Sequence, residues 1–139
     1  MRFSGKIYQD GDFWLAEIPI LDVMTQGLSR EEAIEMVADM VETMANVEDF
    51  QADVFLGTDG AFEVGSTNPK VMTAVLLQRK RELSGLSLSQ AAVRLGASSR
   101  NAYARYEQGK SVPSVVKLNE LLQAISPDLD FVISDSVFA

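Results

Sequence analysis

Cysteine and histidine are both absent from this 139-residue chain. Without cysteine there is no disulfide, no thiolate nucleophile and no thiolate metal ligand. Without histidine, the Ser-His and Cys-His triads are excluded, as is every zinc site that needs imidazole or thiolate. An enzyme built on this chain would have to work with carboxylates, hydroxyls or lysine, and no metal or cofactor is expected. No apolar run approaches the roughly 20 residues of a membrane span. The opening residues, MRFSGKIYQDGD, hold no signal-peptide core. A cytoplasmic protein with no membrane partner is therefore expected.

Basic residues are scarce in the first half. Residues 1–69 hold 3 Lys/Arg against 14 Asp/Glu, a balance of -11, whereas residues 70–139 hold 9 against 6, a balance of +3. Within 79–117 the count is 8 basic to 2 acidic. An acidic half joined to a basic half points to two jobs with two kinds of partner. With 47% apolar residues the chain can bury a core, and its length suits one ordinary domain or two small ones.

The acidic half begins with alternation: Phe3, Gly5 and Ile7 point one way, Arg2, Ser4, Lys6 and Tyr8 the other. Asp10-Gly11-Asp12 is a turn signal, and FWLAEI (Phe13–Ile18) is a second strand, so the pair predicts a hairpin. Pro19 stops it, and Val23–Gln26 forms a short third strand ended by Gly27. Ser29-Arg30-Glu31-Glu32 is a capping box, with Leu28 and Ala33 where a hydrophobic staple would sit. The helix is expected to run to about Val47, burying Ala33, Ile34, Val37, Met40, Val41 and Met44. The Met36, Met40, Met44 series is read as core rather than as an adaptable binding face. Segment 53–65 supplies another strand or hairpin, with Thr58-Asp59-Gly60 as its turn. The DGDFW turn, the strand ending in TQG and the SREEAIEM helix start resemble the N-terminal domain of HicB-type antitoxins over residues 1–65. That resemblance implies a partial RNase H-like fold of order βββαβ. The family fold lacks the converging carboxylates that two-metal nuclease chemistry needs, so Asp10 and Asp12 are read as turn residues and no catalytic residue is assigned.

Residues 66–69 form a linker in which Asn68 caps, and Pro69 opens, the next helix. Gly85 closes that helix, and Ser87 opens another with Gln90 as its capping partner. Ala92 falls where two helices need a small residue for close approach, and Leu95-Gly96 ends the helix. Ser99 is expected to cap a third helix, Arg100 to Gln108, with Arg100, Asn101, Ala104 and Arg105 outward and Tyr103 and Tyr106 inward. Arginine reads guanine through two bonds, asparagine reads adenine, and either can bind phosphate. Gly109-Lys110 makes a turn, and a last helix capped by Ser114 carries Val115, Leu118, Leu121, Leu122 and Ile125 as its apolar face.

LSxxxxAxRLG, ARYEQGKxxPS and LNELLQAI resemble, in that order, the Cro/repressor-type helix-turn-helix family over residues 70–127. The resemblance implies DNA contacts from Ser99, Arg100, Asn101, Arg105, Gln90 and Lys110. Arg79, Lys80 and Arg81 are further candidates for phosphate; Arg94 and Lys117 are read as solvated. Two departures bear on docking: Leu88 stands where the family usually has Gln, and the turn Ala97-Ser98-Ser99 is one residue longer than the common spacing.

The remainder, 128–139, contains the alternating, β-rich LDFVIS (Leu129–Ser134) after Pro127. It is expected to be a terminal strand pairing with its copy in a second subunit, since two half-sites require two-fold symmetry, with packing back on its own domain as the alternative; both a dimer and a tetramer remain open. The expected architecture is thus an α+β domain followed by an all-α helix-turn-helix domain with a terminal strand. The two resemblances together imply an antitoxin. Its N-terminal domain would block a HicA-type ribonuclease toxin, and its C-terminal domain would bind operator DNA and repress the operon. Asp10, Asp12, Asp22, Glu31 and Glu35 are the candidate toxin contacts. Two other readings stand beside it: a helix-turn-helix regulator whose N-terminal domain senses a small ligand or only oligomerises, and a carboxylate-dependent metal nuclease.

Overall fold

A computed structural model describes residues 1–96 and 99–136. The described chain divides into two compact units, Met1–Met72 with Asp135 and Ser136, and Thr73–Ser134. Among the described residues no helix is long and apolar enough to cross a membrane.

The first unit is a five-stranded antiparallel sheet with one helix on it. Strands β1 (Arg2–Asp10) and β2 (Phe13–Ile18) form the expected hairpin, in which Asp10 faces Phe13 and only Gly11-Asp12 intervene. Gly11 has φ 62°, the left-handed first position that a tight two-residue hairpin turn demands. A 3₁₀ turn at Pro19–Leu21 leads to β3 (Val23–Gly27), which pairs with β2. Helix α1 (Arg30–Ala45) follows. Then β4 (Asp53–Leu56) and β5 (Ala61–Gly65) form a second hairpin, giving the sheet order β3-β2-β1-β5-β4. The order is therefore βββαββ rather than βββαβ: segment 53–65 contributes two strands.

Gly60 makes that second hairpin possible. Its φ is 78°, and a Cβ built on it would lie 2.3 Å from the Ile7 carbonyl oxygen. Its own carbonyl accepts from the Ile7 amide at 2.8 Å, which ties the turn to β1. The core of this unit lies between α1 and one sheet face. Phe3, Ile7, Ala16, Ile18, Phe62 and Val64 meet Ala33, Val37 and Val41, all buried. Ile34, Met40 and Met44 are half-buried at its margin, whereas Met36 is exposed. The Ser29 hydroxyl accepts from the Glu32 amide at 3.1 Å, as expected of a cap. Glu32, however, reaches back one residue further, to the Leu28 amide. Leu28 is 70% exposed and forms no staple with Ala33. The backbone at Gly27 packs against the Ala33 amide instead, too close for a side chain.

The second unit is all helical. It comprises most of α2 (Pro69–Leu83), then α3 (Leu88–Arg94), α4 (Arg100–Glu107) and α5 (Val115–Ile125). The expected linker 66–69 ends at Pro69, the first residue of α2, with Asn68 Oδ1 accepting from the Val71 amide. Leu77, Ala91, Ala92, Tyr103, Leu121, Leu122 and Ile125 form the core of this unit. Val115 does not join it: at the first turn of α5 it is 75% exposed. Residues 127–136 form no strand in the single chain. Lys80 Nζ lies 5.6 Å from the centre of the Phe131 ring, while Val132 and Ile133 are each 89% exposed.

Replacing Gly60 by Ala is expected to cost about 2 kcal/mol or more, because both the backbone conformation and the Ile7 carbonyl oppose a side chain there. Urea unfolding of the purified variant checks this. An unchanged midpoint would mean that the turn relaxes freely.

Candidate nucleic-acid interface

Two short helices joined by a turn form the centre of the second unit. α3 starts cleanly because its capping box is complete: the Ser87 amide donates to Gln90 Oε1 at 2.8 Å, and the Gln90 amide donates to Ser87 Oγ at 3.1 Å. This sets Ser87 as the cap and Leu88 as the first helical residue. Gln90, expected to contact DNA, thus spends its carbonyl oxygen on the cap, although its side chain remains exposed. Ala91 and Ala92 are buried, and small residues there let α3 and α4 approach closely.

α4 presents two different faces. Tyr103 and Ala104 are buried and Tyr106 is half-buried; Arg100, Asn101, Ala102 and Arg105 are exposed. Ala104, expected outward, therefore belongs to the buried face. Asn101, Arg105 and Gln108 recur at i, i+4 and i+7, so all three share the outward stripe. Gln108 was not among the expected contacts, yet the same spacing in the sequence points to it. Ser99 holds the cap position with an extended backbone, but its side chain makes no capping bond. Ala97 and Ser98, which carry the extra turn residue, lie outside the described residues.

The end of α4 is held by charge. Arg81 Nε on α2 donates to both carboxylate oxygens of Glu107, at 2.8 and 3.0 Å, and its Nη1 donates to the Leu86 carbonyl at 2.9 Å. The Glu107 side chain is only 6% exposed. Its hydrogen bond raises the Arg81 guanidinium further above its ordinary value, against the opposing effect of burial. Burial first, and then the Glu107 charge, push the Tyr103 hydroxyl well above the usual tyrosine range, so it stays neutral. Arg81, one of three candidates for phosphate contact, is therefore engaged within the fold instead. Lys80 is buried, and Arg79 lies 3.8 Å from Glu82. Arg94 donates to the Ala124 carbonyl.

After α4 the chain turns back against its own helix. The amides of Lys110 and Ser111 both donate to the Arg105 carbonyl, and Arg105 Nε donates to Ser111 Oγ at 3.3 Å. Arg105 and Lys110 are exposed. The arrangement is a helix of eight residues with arginine and asparagine outward, buttressed by a capped helix and followed by a basic turn.

Residues 74–126 match the family model of a helix-turn-helix domain. No curated protein matches the chain. The second unit thus carries a helix-turn-helix, in which α3 and α4 are the motif, with α4 in the recognition position. The match supports DNA binding. Among the described residues, no group of three or more Asp or Glu side chains is arranged to hold a metal ion. Asp10 is the last residue of β1 and Asp12 lies in the hairpin turn of the first unit. Asp22 ends the 3₁₀ turn with φ 48°, at the other end of β2, and Glu31 and Glu35 lie on α1. The five acidic candidates are therefore not one cluster.

Truncating Glu107 to Ala is expected to destabilise the protein by about 2–3 kcal/mol, since Arg81 would keep its largely covered position without a counter-charge. The double variant with Arg81→Ala should recover part of that loss, giving a coupling of about 1 kcal/mol in a denaturation cycle. Strict additivity would mean that the pair contributes nothing to holding α4.

Proposed function

We propose that this chain is a HicB-type antitoxin and a DNA-binding repressor of its own operon. The observation that carries the DNA-binding part is the outward face of α4, where Arg100, Asn101 and Arg105 are exposed above a buried Tyr103 and Ala104. Entered into a major groove, such a face offers guanidinium and amide groups to base edges, while Lys110 in the following turn meets phosphate. Gln108 extends the stripe toward the C-terminal end of the helix. Gln90 and Ser99 stand at the starts of the two motif helices, where a phosphate oxygen can also be met.

The antitoxin part rests on the first unit. A balance of -11 over residues 1–69 makes it a poor neighbour for nucleic acid and a good one for a cationic protein. A HicA-type ribonuclease must attract RNA, so its working face is basic; a strongly acidic domain competes for that face. The partial RNase H-like fold proposed for this unit has no catalytic task here, and the protein acts by binding, without a cofactor, in the cytoplasm.

Self-association is part of the reading. One helix-turn-helix holds one half-site, and two-fold symmetry supplies the second. The segment Leu129–Ser134 is unpaired in the single chain, with Val132 and Ile133 almost fully exposed. An antiparallel pairing of two such segments would satisfy both backbones and cover those side chains.

Arg100→Ala combined with Arg105→Ala is expected to weaken binding to the operator at least 100-fold in a gel-shift titration, while the variant still neutralises the toxin in a growth assay. Loss of both activities in a folded variant would contradict the division of labour between the units. Removing residues 129–139 is expected to lower the mass measured by light scattering. An unchanged mass would exclude the paired-strand assembly.

A further inference from the structure

α1 covers one face of the first unit's sheet. The opposite face carries a contiguous apolar patch. Tyr8 stands directly across from Leu15, Phe13 across from Asp10, and Glu17 across from both Lys6 and Met24. Cross-strand neighbours lie about 5 Å apart and diagonal ones about 7–8 Å. Tyr8, Leu15, Phe13 and Met24 therefore form one group. Tyr8 is 39%, Phe13 42% and Met24 52% exposed, although all three are large and apolar in most of their surface. Two shallow grooves, of about 410 and 270 Å³, share Glu17 and Pro19 at the edge of this group; one continues to Glu63, the other to Asp22. Acidic residues lie around the patch: Asp10 and Asp12 at the hairpin turn, Glu17 across from Lys6 on the face, Asp22 at the end of one groove, and Glu63, paired with Arg2 at 3.1 Å, at the end of the other.

The outward side of α1 is different. Glu31, Glu35 and Asp39 recur at i, i+4 and i+8. That is a solvated helix face, on whose flank Met36, 37% exposed, is a single large apolar side chain rather than an apolar centre. Protein interfaces combine an apolar, aromatic- and Met-rich centre with a polar rim, and only the sheet face has both.

We infer that the open face of the sheet, centred on Tyr8, Phe13, Leu15 and Met24, is where the first unit docks a cationic protein. The inference rests on the antitoxin reading above and adds the surface that serves it. Charge selects the occupant. A second copy of the same sheet unit would bring another -11 over its residues 1–69 against this one, and nucleic acid and anionic lipid headgroups would be repelled in the same way. A protein with basic side chains ringing an apolar contact meets Asp10, Asp12, Glu17 and Asp22 with opposite charge while covering the exposed aromatics. Asp10, Asp12 and Asp22 then belong to the contact, whereas Glu31 and Glu35 contribute only long-range attraction.

The test uses the full-length chain and, as probe, the small basic protein encoded beside it, purified in a form with its nuclease activity disabled. Tyr8→Lys with Met24→Lys adds two positive charges on the sheet face. Glu31→Gln with Glu35→Gln removes two negative charges from α1, so both variants shift the net charge equally. Far-UV circular dichroism and a cooperative urea transition like that of the unmodified chain confirm that each variant is folded. The sheet variant is expected to lose about 100-fold in affinity by calorimetry, and the helix variant less than about threefold. A complex that tolerates the sheet variant but not the helix variant would overturn the assignment of the surface while leaving the antitoxin reading intact. Equal losses would show that only net charge matters and would overturn it too. Failure of the unmodified chain to bind the probe at all would remove the antitoxin reading, and this inference with it.

Discussion

The recognition helix is only eight residues long, and a helix of that length is not stable by itself in water. It depends on being held at its buried face and at its end. Tyr103 supplies the first, fully buried with its hydroxyl kept neutral by its surroundings. The Arg81–Glu107 pair supplies the second, joining α2 to the last turn of α4 and reaching the Leu86 carbonyl between α2 and α3. A buried ion pair adds little net stability over an apolar contact of the same shape, but its geometry is directional. That directionality suits a helix whose outward side chains must sit within about 0.5 Å of productive geometry. Ser87 and Gln90 do the equivalent for the start of α3.

Charge distinguishes the two units. Residues 1–69, which make up most of the first unit, carry -11, and the second concentrates its basic residues between 79 and 117. Of those basic residues, Arg81 is consumed by Glu107 and Lys80 is buried. The charge offered outward by α4 and its following turn therefore comes from Arg100, Arg105 and Lys110. A nucleic acid approaching this chain is attracted by a small and well-defined set of cations and repelled by the sheet. Under the proposed reading a cationic protein would experience the opposite field, and the two classes of partner would not compete for one surface.

Local signals were legible and long-range ones were not. The Asp10-Gly11-Asp12 turn, the Ser29 cap and the Ser87–Gln90 capping box are set within a few residues of chain, and each stands where its motif indicates. The phase of α4 is harder. At about 100° per residue, a small side chain such as Ala104 does not declare its side, and it proved to be buried. Arg81 and Glu107 lie 26 residues apart, so nothing in either neighbourhood announces that one arginine of an Arg-Lys-Arg run is structural. Leu28 looked like a staple, but the close approach of Gly27 to Ala33 fills that role. The terminal segment shows the remaining limit: alternation marks β-propensity, but a strand exists only with a partner, and Leu129–Ser134 pairs with no strand among the described residues.

The central claim is that DNA meets α3, α4 and the turn after them, while the acidic sheet stays apart from it. Hydrogen exchange of the full-length chain, with and without a duplex carrying its upstream promoter region, reads this directly. The account predicts slowed exchange in α4 and at residues 109–111, with α3 following and no change in β1 through β5. Protection spread over the sheet, or none in α4, would contradict it.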